Sequence, residues 1–296
     1  TELLAESIAN KDNPLFLRRL KEDLKDFDGT PLFPPRKVVT IKYSLTEDEK
    51  TLYRGVTDYV EKHFNRALQK EKRNVTFALT VLQRRLASST RAIRKSLERR
   101  HAGLQKLLET GKELQLNGPT YSDDIDDMEE GERSKIEEEL LQKLTSAETL
   151  DELRVEIGVL EELVAIAREV EKKEVETKLT QLRKLMDEEG IQQSGTKLLI
   201  FTESKDTLEF LVEKLKKWGY EVAFIHGGMN LDQRIQAEAD FRNVKQIMVS
   251  TEAGGEGINL QFCWFMVNYD IPWNPNRLEQ RMGRVHRYGQ KHEVHV

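Results

Sequence analysis

The sequence predicts an α/β protein: a parallel sheet flanked by helices at the C-terminal end, joined to a long N-terminal helical hairpin or protrusion. Three observations predict it. After residue 196, short apolar runs alternate with amphipathic stretches of roughly 10–15 residues, the rhythm of βαβ units. Apolar residues recur at helical spacing over 75–110 and 146–189. Charged residues make up 33% of the chain and apolar ones only 38%, a balance that suits long solvated helices on a smaller packed core. At 296 residues the chain has room for about two domains.

In order, residues 1–30 are charged and helix-like around FLRRLKEDLKDF, and GTPLFPPRK is a turn-rich connector with three prolines. VVTIKYSL (38–45) alternates and is rich in β-branched residues, so it reads as a strand. Thr46 followed by Glu49 is a capping box that opens a helix running to about residue 70. Over 75–110, Leu82, Leu86, Ile93, Leu97, Leu104 and Leu108 mark one helix, which also carries Arg84, Arg85, Arg91, Arg94, Lys95, Arg99 and Arg100. Residues 112–144 are acidic and broken by glycine and proline, as expected of a mobile loop or insertion. Over 146–189, Leu150, Leu153, Ile157, Leu160, Val164 and Ala167, then Val175, Leu179, Leu182 and Met186, predict one helix of about 40 residues and about 60 Å. An antiparallel hairpin with the 75–110 helix would bury both stripes.

Beyond Gly190 and Gly195, KLLIF (197–201), EVAFIH (221–226), QIMVS (246–250) and FCWFMVNYD (262–270) are the strands. SKDTLEFLVEKLKKWG, LDQRIQAEADFR and NPNRLEQRMGRVHR are the helices between and after them. Ligands of such sheets gather at the carboxyl ends of the strands. The unusual residues fall there: Thr202 to Ser204, His226 to Gly228, Ser250 to Asn259, and Asp270 to Asn274.

The net charge of −5 does not announce a nucleic-acid partner, so any basic surface must be local. The single cysteine, Cys263, lies in an apolar run and reads as a buried core thiol in a reducing compartment. No apolar run reaches membrane-spanning length. His292 and His295 form an H-x-x-H pair without a third ligand, so no metal site is expected, and a strand of mixed facing fits them better. VSTEAGGEGINL carries three glycines just after a strand, which fits either a phosphate or sugar approach or an ordinary βα turn. In QRMGRVHRYGQ, Gln280, Gly283, Arg284 and Arg287 stand at Q-x-x-G-R-x-x-R spacing. On a helix, residues 284 and 287 share a face, and two guanidiniums can converge on one polyphosphate. Arg281 reads as solvated surface and His286 as structural.

Taken in order, IFTES, HGGM, VSTEAGGEGINLQ, NYDIPWNP and QRMGRVHRYGQ resemble the second, RecA-like motor lobe of superfamily 2 ATPases. WNP followed by an arginine, and HR-x-GQ at the end, point to the Swi2/Snf2-like branch rather than to RNA helicases. NPLFLRRLKEDL…LFPPRKVVTIKYSLTEDEKTLY resembles the passage by which such proteins leave their first lobe. The nearest group is the prokaryotic one that includes the bacterial RNA-polymerase-associated Snf2-like ATPase. The resemblance covers 14–60 and 196–296, and the middle only as a variable helical protrusion. It divides the chain into an inter-lobe connector (1–45), a helical protrusion (46–195) and a helicase C-terminal lobe (196–296).

The resemblance implies that ATP with Mg2+ binds between two lobes, mainly to the first. Arg284 and Arg287 would be arginine fingers on the γ-phosphate. Gln280 and Gly283 would order the nucleotide side, and Gly257 and Asn259 would approach the ribose. Thr202, Ser204, Lys205, His226, Gly227, Ser250 and Thr251 would hold a DNA backbone. Trp273 would be a packed corner or a DNA contact. The partners implied are double-stranded DNA, the first RecA-like lobe of the same polypeptide, and a protein partner on the helical protrusion, in a prokaryotic cytoplasm. No G-x-x-x-x-G-K-[ST] occurs, and DELR (151–154) and DEEG (187–190) fall in a helix rather than after a strand. The expectation is therefore the C-terminal half of an ATP-dependent double-stranded DNA translocase, inactive alone. The alternatives are a strand-separating helicase and a non-catalytic interaction module. The basic helix 84–100 either tracks DNA phosphates or pairs with the ten carboxylates of 123–139, an intramolecular or solvated role being favoured.

Overall fold

The computed structural model describes residues 21–69, 73–110, 128, 130–252 and 258–296. After a 3₁₀ turn at Lys21–Asp23, the elements are β1 (Arg36–Lys37), α1 (Glu47–Gln69), α2 (Arg73–Ser88), α3 (Thr90–Thr110), α4 (Glu130–Lys143), α5 (Leu150–Lys172), α6 (Thr177–Glu188), α7 (Ile191–Ser194), β2 (Leu198–Phe201), α8 (Lys205–Lys217), β3 (Val222–Ile225), α9 (Leu231–Asn243), β4 (Ile247–Ser250), β5 (Phe265–Asn268), α10 (Pro275–Val285) and β6 (Val294–His295).

The sheet has the order β1-β6-β5-β2-β4-β3, and every pairing is parallel. Strand alternation divides its side chains between two faces. Leu198, Ile200, Ile247 and Val249 pack with Leu179, Leu182 and Met186 of α6 and with Leu208, Leu211 and Leu215 of α8. Leu199, Phe201, Met248 and Met266 pack with Phe241 of α9 and with Met282 and Val285 of α10. Cys263 is buried in this second layer, and burial pushes its thiol up to about 12. The parallel sheet with helices on both faces is thus the predicted fold class. Residues that pack on it already begin at Leu179.

Helices α1 to α5 form a separate bundle with its own core, including Leu52, Val56, Leu82, Leu97, Leu141, Leu160 and Leu163. At its centre lies a fully buried ion pair. Arg100 Nη2 donates to Glu156 Oε1 at 2.8 Å, Nε to the Tyr59 hydroxyl at 2.6 Å, and Nη1 to the carbonyls of Leu141 and Leu144. Glu156 also accepts from Tyr59 at 2.7 Å and from Thr145. Each nitrogen of the guanidinium donates to an acceptor, the kind of pairing under which a buried charge is tolerated. α3 and α5 run antiparallel, since Arg91 and Arg94 meet Glu171 while Arg100 meets Glu156.

Four expectations need correction. Residues 38–45 are not a strand: pairing reaches only from Arg36 to Val39, whose N–H donates to Val296 O at 2.8 Å. Val38, Val39, Ile41 and Tyr43 are exposed rather than packed. The 75–110 helix breaks at Ser89, whose hydroxyl accepts from Ala92 N–H at 3.1 Å and so caps a new helix, α3. The 146–189 helix breaks after Lys172, where Glu174 takes the left-handed region (φ 52°), and α6 leaves the bundle to pack on the sheet. The acidic segment is not a loop throughout, because 130–143 is helix α4 and Glu137 is buried between Arg84 and Arg85. The rest of that loop expectation, over 112–127 and Glu129, lies outside the described residues, as does the helix-like reading of residues 1–20. The capping box at Thr46 is present: Glu49 N–H donates to Thr46 Oγ1 and Thr46 N–H to Glu49 Oε2.

Bundle and lobe meet across α3 and α8 through polar groups. Lys95 and Arg99 reach Asp206, and Arg91 reaches Glu213. Ser88 and Ser89 each meet the Thr207 hydroxyl at 2.7 Å. The Lys178 ammonium caps the end of α2 on the carbonyls of Ala87 and Ser88. The buried Glu176 accepts from the Tyr269 hydroxyl at 2.7 Å.

Candidate functional site

The parallel strands carry their carboxyl ends to one edge, and four predicted groups gather there. Thr202 follows β2, His226 follows β3, Ser250 ends β4, and Asp270 follows β5. Thr202 N–H donates to Ser250 O at 3.1 Å, and Thr251 N–H to Ile225 O at 2.9 Å, so the loops are laced together.

Asp270 is the hub of this edge. One carboxylate oxygen accepts from Thr202 and from Ser88, both at 2.6 Å, and the other accepts Glu203 N–H at 2.8 Å. Arg281 Nη1 donates to Asp270 O at 2.9 Å and to Asn268 Oδ1 at 3.3 Å. Sequence reasoning gave Asp270 and Ser88 no role. The only signal was the position of Asp270 just past a strand. Glu203, pressed against this hub, has its carboxyl pushed up to about 7 by burial and then by the Asp270 charge.

The predicted backbone-contact residues divide into two sets. Thr202, Ser204, Ser250 and Thr251 are buried. Ser204 caps α8 by accepting Thr207 N–H, and Ser250 donates to Thr251 O at 2.8 Å. Lys205 is exposed and His226 and Gly227 are half-buried. Those three line one cleft of about 790 Å3 whose opposite wall belongs to the bundle. His226 Nδ1 accepts Gly228 N–H at 3.1 Å, and burial and then the Lys205 charge push its pKa down. The imidazole is therefore neutral near pH 7, with its proton on Nε2.

On the other side of the sheet, Gln280 and Arg284 of α10 line a small cavity with Phe201, Glu252 and Arg281. Arg281 is not surface: it is 2% exposed, and its guanidinium lies over the Phe201 ring, 5.5 Å from the centroid. The correction follows from the register of α10. Met282 and Val285, with the partly buried Leu278, form the apolar stripe, and position 281 falls at its edge, where the Asp270 carbonyl and Asn268 Oδ1 accept from the guanidinium. Arg287 lies beyond the last helical residue, Val285, with its Nε on Gly283 O at 2.9 Å. The structure therefore places Arg284, but not Arg287, at the cavity. A methyl at Gly283 would meet only Lys21 Nζ, at 4.0 Å, so packing within the chain does not require glycine there. Asn259 is exposed, with its amide oxygen accepting Gln261 N–H. Gly257, like the rest of 253–257, lies outside the described residues.

His286 is buried, with Nε2 2.9 Å from Pro34 O. Trp273 is 68% exposed rather than a packed corner, and Asn274 caps α10. Among the described residues no group of three His, Cys, Asp or Glu could hold a metal, and no helix is long and apolar enough to cross a membrane. The arginines of the basic helices pair within the chain: Arg84 and Arg85 with Glu137, Arg91 and Arg94 with Glu171, Arg99 with Asp206 and Glu138, and Arg100 with Glu156.

Residues 177–289 match the helicase conserved C-terminal domain. The chain is 46% identical over 106 residues to the uncharacterized ATP-dependent helicase YqhH of Bacillus subtilis (strain 168), covering 36% of this chain and 19% of that protein. It is 38% identical over 107 residues to the RNA polymerase-associated protein RapA of Pseudomonas fluorescens (strain Pf0-1), covering 34% of this chain and 11% of that protein. These relatives are thus matched over about a fifth of their length or less. In fold the chain is similar to the crystal structure of the C-terminal part of the Fun30 ATPase domain. That likeness has a TM-score of 0.50 at 22% identity and covers 89% of this chain and 84% of the other. Over residues 177–289 the chain is thus similar to helicase C-terminal domains, the same resemblance that the ordered motifs carry.

Proposed function

We propose that this chain is the second motor lobe of an ATP-dependent double-stranded DNA translocase of the Swi2/Snf2-like kind. ATP and Mg2+ are held mainly by a first lobe on the same polypeptide. The observation that carries the reading is the placement of α10. Gln280 and Arg284 reach a cavity on one side of the strand ends, and the Lys205, His226 and Gly227 cleft lies on the other.

In this reading, closure of the two lobes brings Arg284 to the γ-phosphate. Arg287, half-exposed beyond the helix end, swings from the Gly283 carbonyl to join it. Such fingers stabilise charge that develops in the transition state and contribute about 10³–10⁵ in rate. The open approach at Gly283 leaves room for the nucleotide. Asn259 and Gly257 take the ribose side. Lys205, His226 and Gly227 grip one strand through its phosphates without reading sequence, while Thr202, Ser204, Ser250 and Thr251 shape that edge from beneath. Alternating grip by the two lobes then moves the motor along a duplex. The division into connector, helical protrusion and lobe belongs to this reading, with α6 counted with the lobe.

The test uses the polypeptide that carries this chain with its nucleotide-binding lobe. Arg284→Ala and Arg287→Ala should each lower DNA-stimulated ATP turnover by about 10³-fold or more. Unchanged turnover overturns the finger assignment. Displacement of a triplex strand without unwinding of a forked duplex supports translocation; unwinding would make the protein a helicase.

A further inference from the structure

We propose that the helical bundle supplies the second wall of a duplex-backbone groove, with Lys135 of α4 facing Lys205 and the His226–Gly227 turn of the lobe. The proposal rests on the reading above that the lobe side of this cleft holds a phosphodiester strand, and it extends the site to residues outside the helicase domain.

The groove is built rather than left over. α4 is anchored in the bundle core through Leu140 and Leu141, with Leu144 just past its end, and through Glu137, which accepts from Arg84 and Arg85. Its first turn lies against the opposite wall: a methyl on Gly131 would stand 3.6 Å from Gly227 O. Between the walls the cleft measures about 790 Å3.

Its charges sort by pairing. Arg85 is held by Glu137 at 3.0 Å, Arg99 by Asp206 at 2.9 Å, and Lys143 by Glu139. The acidic residues of the lining are each in an ion pair as well: Glu139 with Lys143, Glu138 with Arg99, and Asp206 with Arg99 and with Lys95 from outside the lining. Lys135 and Lys205 line the same cleft, are exposed, and have no ion-pair partner among the described residues. An ammonium from each wall, with the neutral His226 Nε2–H as a further donor, fits a ligand carrying successive anionic groups, which is what a phosphate backbone presents. Among the described residues the lining contains no Phe, Tyr or Trp. Single-strand binders rely on such rings to stack bases, so this groove takes a backbone and favours duplex over single strand.

The experiment follows the binding of a fluorescein-labelled blunt duplex to the full chain by anisotropy across a salt series. On B-DNA, removing one cation that neutralises a phosphate flattens the slope of log K against log salt by about 0.9. Lys135→Ala and Lys205→Ala should each flatten it by about that amount, and the double variant by about twice as much. Lys135→Arg should keep the parent slope, and Lys62→Ala, at an exposed position on α1, should not change it. If Lys205→Ala flattens the slope and Lys135→Ala does not, the second wall is overturned and the reading of the lobe survives. If the unmodified chain fails to bind the duplex, both are overturned. Equal or tighter binding of the single strand overturns the preference for a duplex.

Discussion

Arg281 and Arg284 are three positions apart on one helix and have opposite fates. The apolar stripe of α10 runs through Leu278, Met282 and Val285, and position 281 falls at its edge, so the period carried the information that the residue type hid. A charged side chain reads as solvated unless its acceptors are known, and those acceptors, Asp270 and Asn268, come from a different strand. Arg281→Ala leaves these acceptors unmet and should cost about 1–3 kcal/mol in urea unfolding. Glu203 carries the pH dependence of the same edge. Its carboxyl rises from an ordinary 4.5 to about 7 in the fold, so the folded chain holds a proton that the unfolded chain releases. This contribution to stability is fully present below the ordinary value and is lost as pH rises through about 7. The loss amounts to as much as about 3 kcal/mol. Denaturation midpoints measured from acid to mildly alkaline pH should fall across that window, and Glu203→Gln should flatten the fall.

Single residues also decide where elements end. The leucine spacing of 75–110 continues through α2 and α3 because only Ser89 leaves the helical path. The break was hidden in Ser-Ser-Thr, where hydroxyls serve as cap and docking groups at once. Ser89→Ala removes the cap of α3 and a bond to Thr207, and should lower thermal stability by about 1 kcal/mol or somewhat more. The α5–α6 break was illegible for another reason. Leu179, Leu182 and Met186 keep a helical rhythm, but they serve the sheet's core, not the bundle's, and a periodicity does not name its partner. Within the bundle, Arg100→Ala strands the Glu156 carboxylate at zero side-chain exposure. It should cost about 3–5 kcal/mol in chemical denaturation, while Arg168→Ala, whose pairing with Glu98 is largely exposed, should cost less than about 1 kcal/mol.

At the scale of the molecule, the sheet and its flanking helices were legible because parallel strands must be buried on both faces and so appear as apolar runs. The two clefts at the strand ends were legible as unusual residues after those runs. The contribution of the bundle to the cleft was not, because it depends on α4 folding back over a turn roughly a hundred residues downstream. The junction between the two bodies is charged, so it should respond to salt. A double-mutant cycle on the half-buried Arg99 and the buried Asp206, joined at 2.9 Å, should give a coupling of about 1 kcal/mol that shrinks as ionic strength rises.

The bundle also leaves and rejoins the lobe at one spot. Glu49 at the start of α1 accepts the Thr177 N–H at 2.9 Å and the Thr177 hydroxyl at 2.6 Å. Everything between those two residues is therefore a cassette whose ends meet at one point, and which touches the lobe again along α3 and α8 and at Asp270. Cutting it out and splicing the ends with a few flexible residues would leave every strand pairing of the sheet in place. The face laid bare would include Asp206, Thr207 and Glu213, which water solvates readily. A cassette of another length or shape can join at the same two ends without moving a strand.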